Sequence, residues 1–94
     1  MYVRVVRFTD VSSERMQHLL ERVNQAGGPP PGVNAKGLEI AFDQGQGTAV
    51  VLQRFESATD MEEGAKIFAA MDVSETPGTR VSVDSCEQKL AVEA

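Results

Sequence analysis

The chain has 94 residues, 41% of them hydrophobic and 24% charged, with 14 acidic side chains against 9 Lys and Arg for a net charge of -5. That composition excludes a disordered chain, and the scatter of the arginines excludes a nucleic-acid binder that works through a basic patch releasing phosphate counterions. The length reads as a single domain over residues 1–94, which buries only about 60 to 70% of its unfolded surface and so has a thin core.

Residues 2–8, YVRVVRF, alternate Val3 and Val5 against Tyr2, Val6 and Phe8 and are rich in β-branched and aromatic types, which predicts a strand. TDVSS follows with side-chain oxygens suited to a helix start. Met16, Leu19, Leu20, Val23 and Ala26 then recur on one helical face, so a helix is expected over 13–25. Gly27 and Gly28 stop it, since glycine takes the left-handed cap conformation readily and the prolines beyond cannot continue a helix. The connector GGPPPGVNAKG follows a helix instead of preceding one and ends in no Lys-Ser/Thr pair, so it is no phosphate cradle. Its length marks it as the border of a pocket, with Asn34 and Lys36 its side chains of functional interest.

GLEIAFD and TAVVLQRF, joined by QGQG, predict a β-hairpin. In the second of these strands Val50 and Leu52 point to one side, and Ala49, Val51 and Phe55 to the other. In SATDMEEGAKIFAAM, Thr59 and Glu62 have capping-box spacing, and Met61, Ala65, Phe68 and Met71 share a face of a second helix. SETPG breaks that helix. RVSVDSCEQKLAVE reads as a long last strand whose apolar phase passes from Val81 and Val83 to Leu90 and Val92, which predicts a bulge or bend near residues 84–87.

The order βαββαβ is the α+β, ferredoxin-like split arrangement, a four-stranded antiparallel sheet whose right-handed crossovers put both helices on one face. The other face keeps several Val and Leu side chains. At about 25 cal/mol per Å² of apolar surface, leaving a few of these in water forfeits several kcal/mol out of a net stability of about 5 to 15. A second copy packed sheet on sheet is the economical cover, because twofold homodimers are the commonest oligomers. A different protein partner, or a face left to water, are the alternatives.

Pro31-Gly32, Gly37 opening the second strand, the QGQGTAVVLQRFES hairpin ending in Phe55-Glu56-Ser57, and Asp60 at the start of the second helix resemble the antibiotic biosynthesis monooxygenase-like domains of the dimeric α+β barrel superfamily. The resemblance covers residues 2–93. It implies a homodimer formed through the sheet faces, with a pocket between sheet and helices in each subunit. Relatives include cofactor-independent oxygenases of aromatic polyketides and quinols, haem-degrading enzymes, and small proteins of no assigned activity. Haem-degrading members use an Asn, a Trp and a His, and polyketide oxidisers Trp, Tyr, Asn and Arg. This chain has no Trp, one Tyr at position 2, and one His, on the first helix.

The candidate ligand-binding residues are Arg4, Arg54, Tyr2, Asn34 and Phe68, and no catalytic residue is named. Arg4 and Arg54 lie on the two strands expected to be central, where a guanidinium suits a carboxylate or enolate. Their alternative is salt bridging to Glu39, Asp43, Glu56 or Asp84, since buried arginines need partners. Tyr2 reads first as a strand anchor. Met16, Met61, Phe68 and Met71 read as core, or as the lining of a pliable apolar cavity for a small aromatic or fatty ligand. His18 points away from the apolar stripe of its helix and is expected in water. Cys86, the lone cysteine, has no CxxC or Cys/His partner, so neither a metal nor a disulfide is expected. No cofactor is expected. Neither a charged-then-apolar leader nor an apolar stretch of membrane-spanning length is present, which gives the expectation of no membrane association and a cytoplasmic location. The expected function is a cofactor-independent monooxygenase of a small aromatic or quinol-like substrate, with a non-catalytic dimeric ligand-binding or stress-associated module as the alternative.

Overall fold

The computed structural model describes residues 1–71 and 75–93. Its elements come in the expected order: β1 (Tyr2–Thr9), α1 (Ser13–Ala26), β2 (Gly37–Asp43), β3 (Thr48–Phe55), α2 (Ala58–Ala69) and β4 (Thr79–Glu87). The four strands form an antiparallel sheet in the order β2-β3-β1-β4, so β1 and β3 are central. This is the ferredoxin-like α+β arrangement.

Local chemistry sets the helix ends. Ser12 is the N-cap of α1, its hydroxyl accepting from the Arg15 N–H, and Gly27 closes the helix at φ 69°, the left-handed conformation that favours glycine. For α2 the cap is Ser57, whose hydroxyl accepts from the Asp60 N–H at 3.1 Å. The expected Thr59–Glu62 box is therefore displaced by a serine cap two residues earlier. The reason is that the chain leaves β3 at Phe55 and is still extended at Ser57, with φ -132° and ψ 157°, so the first free amides of the helix face Ser57 and not Thr59.

Strand register decides which side chains meet. Arg4 stands opposite Gln53 and Ser85, Val6 opposite Val51 and Val83, and Phe8 opposite Ala49. Gln53 and Val51 in turn pair with Leu38 and Ile40. Because cross-strand partners share a face, these residues form rows beneath the helices. One buried cluster holds Val6, Phe8, Val11, Met16, Ala49 and Val51; a second holds Val33, Phe55 and Met61, with Tyr2, Ile67 and Phe68 packed against it. Phe55 is fully buried. Gly64 of α2 makes room for its ring, since a Cβ at that position would lie 3.0 Å from Phe55 Cε1.

On the opposite face the rows are Val3 with Arg54 and Cys86, Val5 with Leu52 and Asp84, and Arg7 with Val50 and Ser82. Val3, Val5, Val50 and Leu52 are half-buried there.

β4 departs from expectation in two ways. It ends at Glu87 and does not run on to residue 93, and its irregularity lies between Arg7 and Phe8 of β1, where Val81 is the extra residue. The Gln88 N–H still donates to the Met1 carbonyl at 2.9 Å, but β1 begins at Tyr2, so the ladder has no further rung to offer. Leu90 and Val92 are accordingly 79% and 78% exposed. The helix break read from Ser74 onward begins outside the described residues; Pro77 and Gly78 after it are buried.

The reassigned cap is open to test by urea denaturation. Ser57→Ala lowers stability by about 1 kcal/mol, while Thr59→Ala stays within about 0.5 kcal/mol of the parent protein.

Candidate functional site

Between the sheet and α1 lies a cavity of about 580 Å³. It exists because the two helices dock unequally. α2 seats Met61 and Gly64 in the interior, whereas α1 buries Met16 near its start and leaves Leu19 and Val23 half-covered along the cavity wall. Val6, Val51 and Ile40 form an apolar floor, and Phe68 of α2 closes one side. The connector after α1 contributes Pro29 and Pro30 to the rim, as its length led one to expect. Residues 75–77 supply the opposite edge, held to α1 by two arginines: Arg15 Nη2 donates to the Thr76 carbonyl at 2.8 Å, and Arg22 Nη2 to the Glu75 carbonyl.

Into this apolar floor are set two buried polar side chains, Arg4 (4% exposed) and Gln53 (6% exposed). Arg4 Nη1 donates to Gln53 Oε1 at 2.9 Å, and its guanidinium lies 5.2 Å from the centre of the Phe68 ring, within cation–π range. Its Nε has no hydrogen-bond partner, and no carboxylate is within ion-pair distance of it among the described residues. Burial, with the Arg80 charge adding to it, pulls the guanidinium below its ordinary value. An arginine nonetheless stays protonated in a protein. The cavity therefore contains a cation whose donors are not all used, and a buried donor without an acceptor costs about 1 to 3 kcal/mol. The unpaired Nε is itself enclosed, while the guanidinium as a whole belongs to the cavity lining.

Of the five sequence candidates, the structure brings Arg4 and Phe68 together at the cavity. Arg54 lies on the opposite face of the sheet, paired in register with Val3, and its Nη1 sits 3.4 Å from Glu39 Oε1. The cause is parity: positions 4 and 53 face the helices, so position 54 cannot. Tyr2 packs in the cluster around Phe55. Asn34 is exposed, its Nδ2 donating to Asp60 Oδ2 at 3.2 Å at the start of α2. Neither lines the cavity. Gln53 is the functional residue that sequence reasoning passed over, though a polar residue in the apolar phase Ala49, Val51, Phe55 was signal enough. His18 is exposed on α1, and Cys86 is an exposed free thiol. Among the described residues there is no cluster of His, Cys, Asp and Glu that could hold a metal ion, and no helix long and apolar enough to cross a membrane.

No family model matches this sequence, and no curated protein is significantly similar to it. The fold does have a solved counterpart. A Deinococcus radiodurans protein provisionally named an antibiotic biosynthesis monooxygenase superposes with a TM-score of 0.57, at 11% identity, over 100% of this chain and 98% of that one. The likeness is one of fold, and it agrees with the fold expected from the hairpin and cap signals.

The polar pair has a measurable cost. Gln53→Leu, which strips the remaining protein acceptor from a buried cation, lowers unfolding free energy by about 1 to 3 kcal/mol. Arg4→Met combined with Gln53→Leu removes both partners and restores stability to the parent level or above it; chemical denaturation of the two variants side by side checks the reversal.

Proposed function

We propose that this protein is a small-molecule protein of the antibiotic biosynthesis monooxygenase-like fold, which holds an apolar, oxygenated ligand in the cavity with the ligand oxygen on Arg4. The observation that carries this reading is the buried guanidinium of Arg4, which lines an apolar cavity of about 580 Å³ and has no carboxylate within ion-pair distance among the described residues. Cavities of that size with a few fixed polar groups are typical of small-ligand sites.

With a substrate acidic enough to sit there as an enolate or phenolate, the same arrangement supports cofactor-independent monooxygenation. Arg4 stabilises the oxyanion, and the carbanion-like carbon passes its electrons to O2. At an aromatic ketone's methylene, one oxygen atom becomes the new carbonyl and the other leaves as water with the two hydrogens lost from carbon. The substrate supplies every electron. The neighbour's provisional name is in line with this chemistry.

A second reading, binding without turnover, is favoured by one observation: His18 is no part of the described lining, and its one carboxylate, Glu75, is an exposed residue of the rim and not of the floor. Oxygen-electrode assays with anthrone and naphthoquinol substrates separate the two. The oxygenase predicts consumption above the uncatalysed rate that falls about 100-fold or more in Arg4→Gln, the effect of deleting an oxyanion donor. Binding of those compounds with no consumption selects the second reading.

The reading includes a homodimer joined through the uncovered sheet face and a location in the reducing cytoplasm, where a lone exposed thiol such as Cys86 stays reduced. In support of the dimer, Val3, Val5, Val50 and Leu52 form an aliphatic centre edged by charges of both signs, Arg7 and Arg54 with Glu39 and Asp84. A twofold partner can meet each sign with the other. Leu52→Asp is expected to convert a dimer into a monomer in sedimentation velocity; a parent chain that sediments as a monomer at micromolar concentration ends the proposal.

A further inference from the structure

We infer that the ligand of this cavity is an organic anion before any reaction, an aromatic or fatty carboxylate-like molecule, and that Arg4 and Gln53 together form the subsite for its two oxygens. The inference rests on the cavity-binding reading above and narrows it to a ligand class.

Two sets of observations carry it. The first is the charge around the cavity. A chain of net charge -5 places Arg4, Arg22, Lys36 and Arg80 on the described lining against a single carboxylate, Glu75. Acidic residues outnumber basic ones in the chain as a whole, so this lining runs against its composition. Cations gathered on low-dielectric walls focus a field that draws in anions and repels other cations.

The second is the floor. Gln53 is fixed by giving its amide oxygen to Arg4, which commits that oxygen and turns the Gln53 side chain into a donor for anything else in the cavity. Arg4 lines the same cavity and makes one hydrogen bond, to Gln53, among the described residues. A guanidinium beside an amide N–H on one cavity floor supplies a donor from each side chain, which suits the two oxygens of a carboxylate. A neutral alcohol or ether fills one of those donors and leaves the cation unpaired. Phe68, with its ring centre 5.2 Å from the guanidinium, presents an apolar wall to the rest of the ligand.

The test uses two probes of one shape, 2-naphthoate and 2-naphthylmethanol, titrated calorimetrically into the full chain at neutral pH. The carboxylate is expected to bind at least tenfold more tightly than the alcohol. Raising NaCl from about 20 to about 500 mM should weaken the carboxylate several-fold and leave the alcohol unchanged, because salt screens the field of the rim cations. In the Arg4→Met, Gln53→Leu double variant, which removes both polar partners and so keeps its fold, the preference should fall to the small part due to Arg22, Lys36 and Arg80 while the alcohol still binds. Arg80→Gln, at an exposed position, should weaken the carboxylate at low salt and reduce its salt sensitivity while leaving the alcohol unchanged. Equal affinity of both probes for the parent chain overturns the anion assignment and leaves the cavity-binding reading in place. Failure of both probes to bind at millimolar concentration overturns the two together.

Discussion

The structure turns on a polar bond placed where apolar packing was available. Arg4 and Gln53 face each other across the two central strands, and above and below them along the same face the sheet carries Val6, Val51, Tyr2 and Phe55. That one row parts the interior into two buried clusters, one under α1 and one under α2. Filling it with aliphatic residues would join them into a continuous core, and hydrophobic replacement of buried ionic groups is commonly neutral or stabilising. Stability therefore gives no reason for the row, whereas a cavity needing a fixed cation on its floor does. The separation of the clusters and the lightly seated α1 are two aspects of the same arrangement: a helix pressed onto the sheet would leave no space above Arg4.

The two faces of the sheet divide the labour. The inner face is polar at its centre and holds the cavity. The outer face is aliphatic at its centre and charged at its edges. Each central strand serves both, since successive side chains alternate, and the paired sequences VRVVRF and VVLQRF therefore encode the cavity floor and the outer aliphatic face in alternate letters. Arg4 and Arg54 show how much depends on phase. Both are arginines on central strands, one nearly enclosed in the cavity and the other bridged to Glu39 on the far side.

Most of the fold was legible in the sequence because periodicity and caps are local. The alternation in residues 2–8, the helix stop at Gly27 and the QGQG turn each act within a few residues, and topology rules supply the rest. Legibility failed where the deciding partner is remote. Thr59 and Ser57 are both sound caps by type, and only the path of the chain leaving Phe55 selects Ser57. The continuation of β4 to residue 93 was read from the alternation of Leu90 and Val92, yet a strand needs a neighbour, and β1 has given out by Met1. The site was half legible. Arg4 stood out by its charge, but its meaning comes from Gln53, some fifty positions along the chain, and from α1 keeping its distance. No local pattern encodes either.

The tether between α1 and residues 75–77 runs from arginine side chains to peptide carbonyls. Every amino acid brings a carbonyl, so the attachment at position 75 is indifferent to the residue there, whereas the Thr76 hydroxyl also accepts from Arg15 Nη2 at 3.5 Å and donates to the Gly78 carbonyl at 2.9 Å. The rim of the cavity can therefore exchange its chemistry at position 75, exposed and held by its carbonyl, without loosening the wall it belongs to. A scaffold so arranged can acquire a new ligand preference through its edge while the floor around Arg4 is left as it stands.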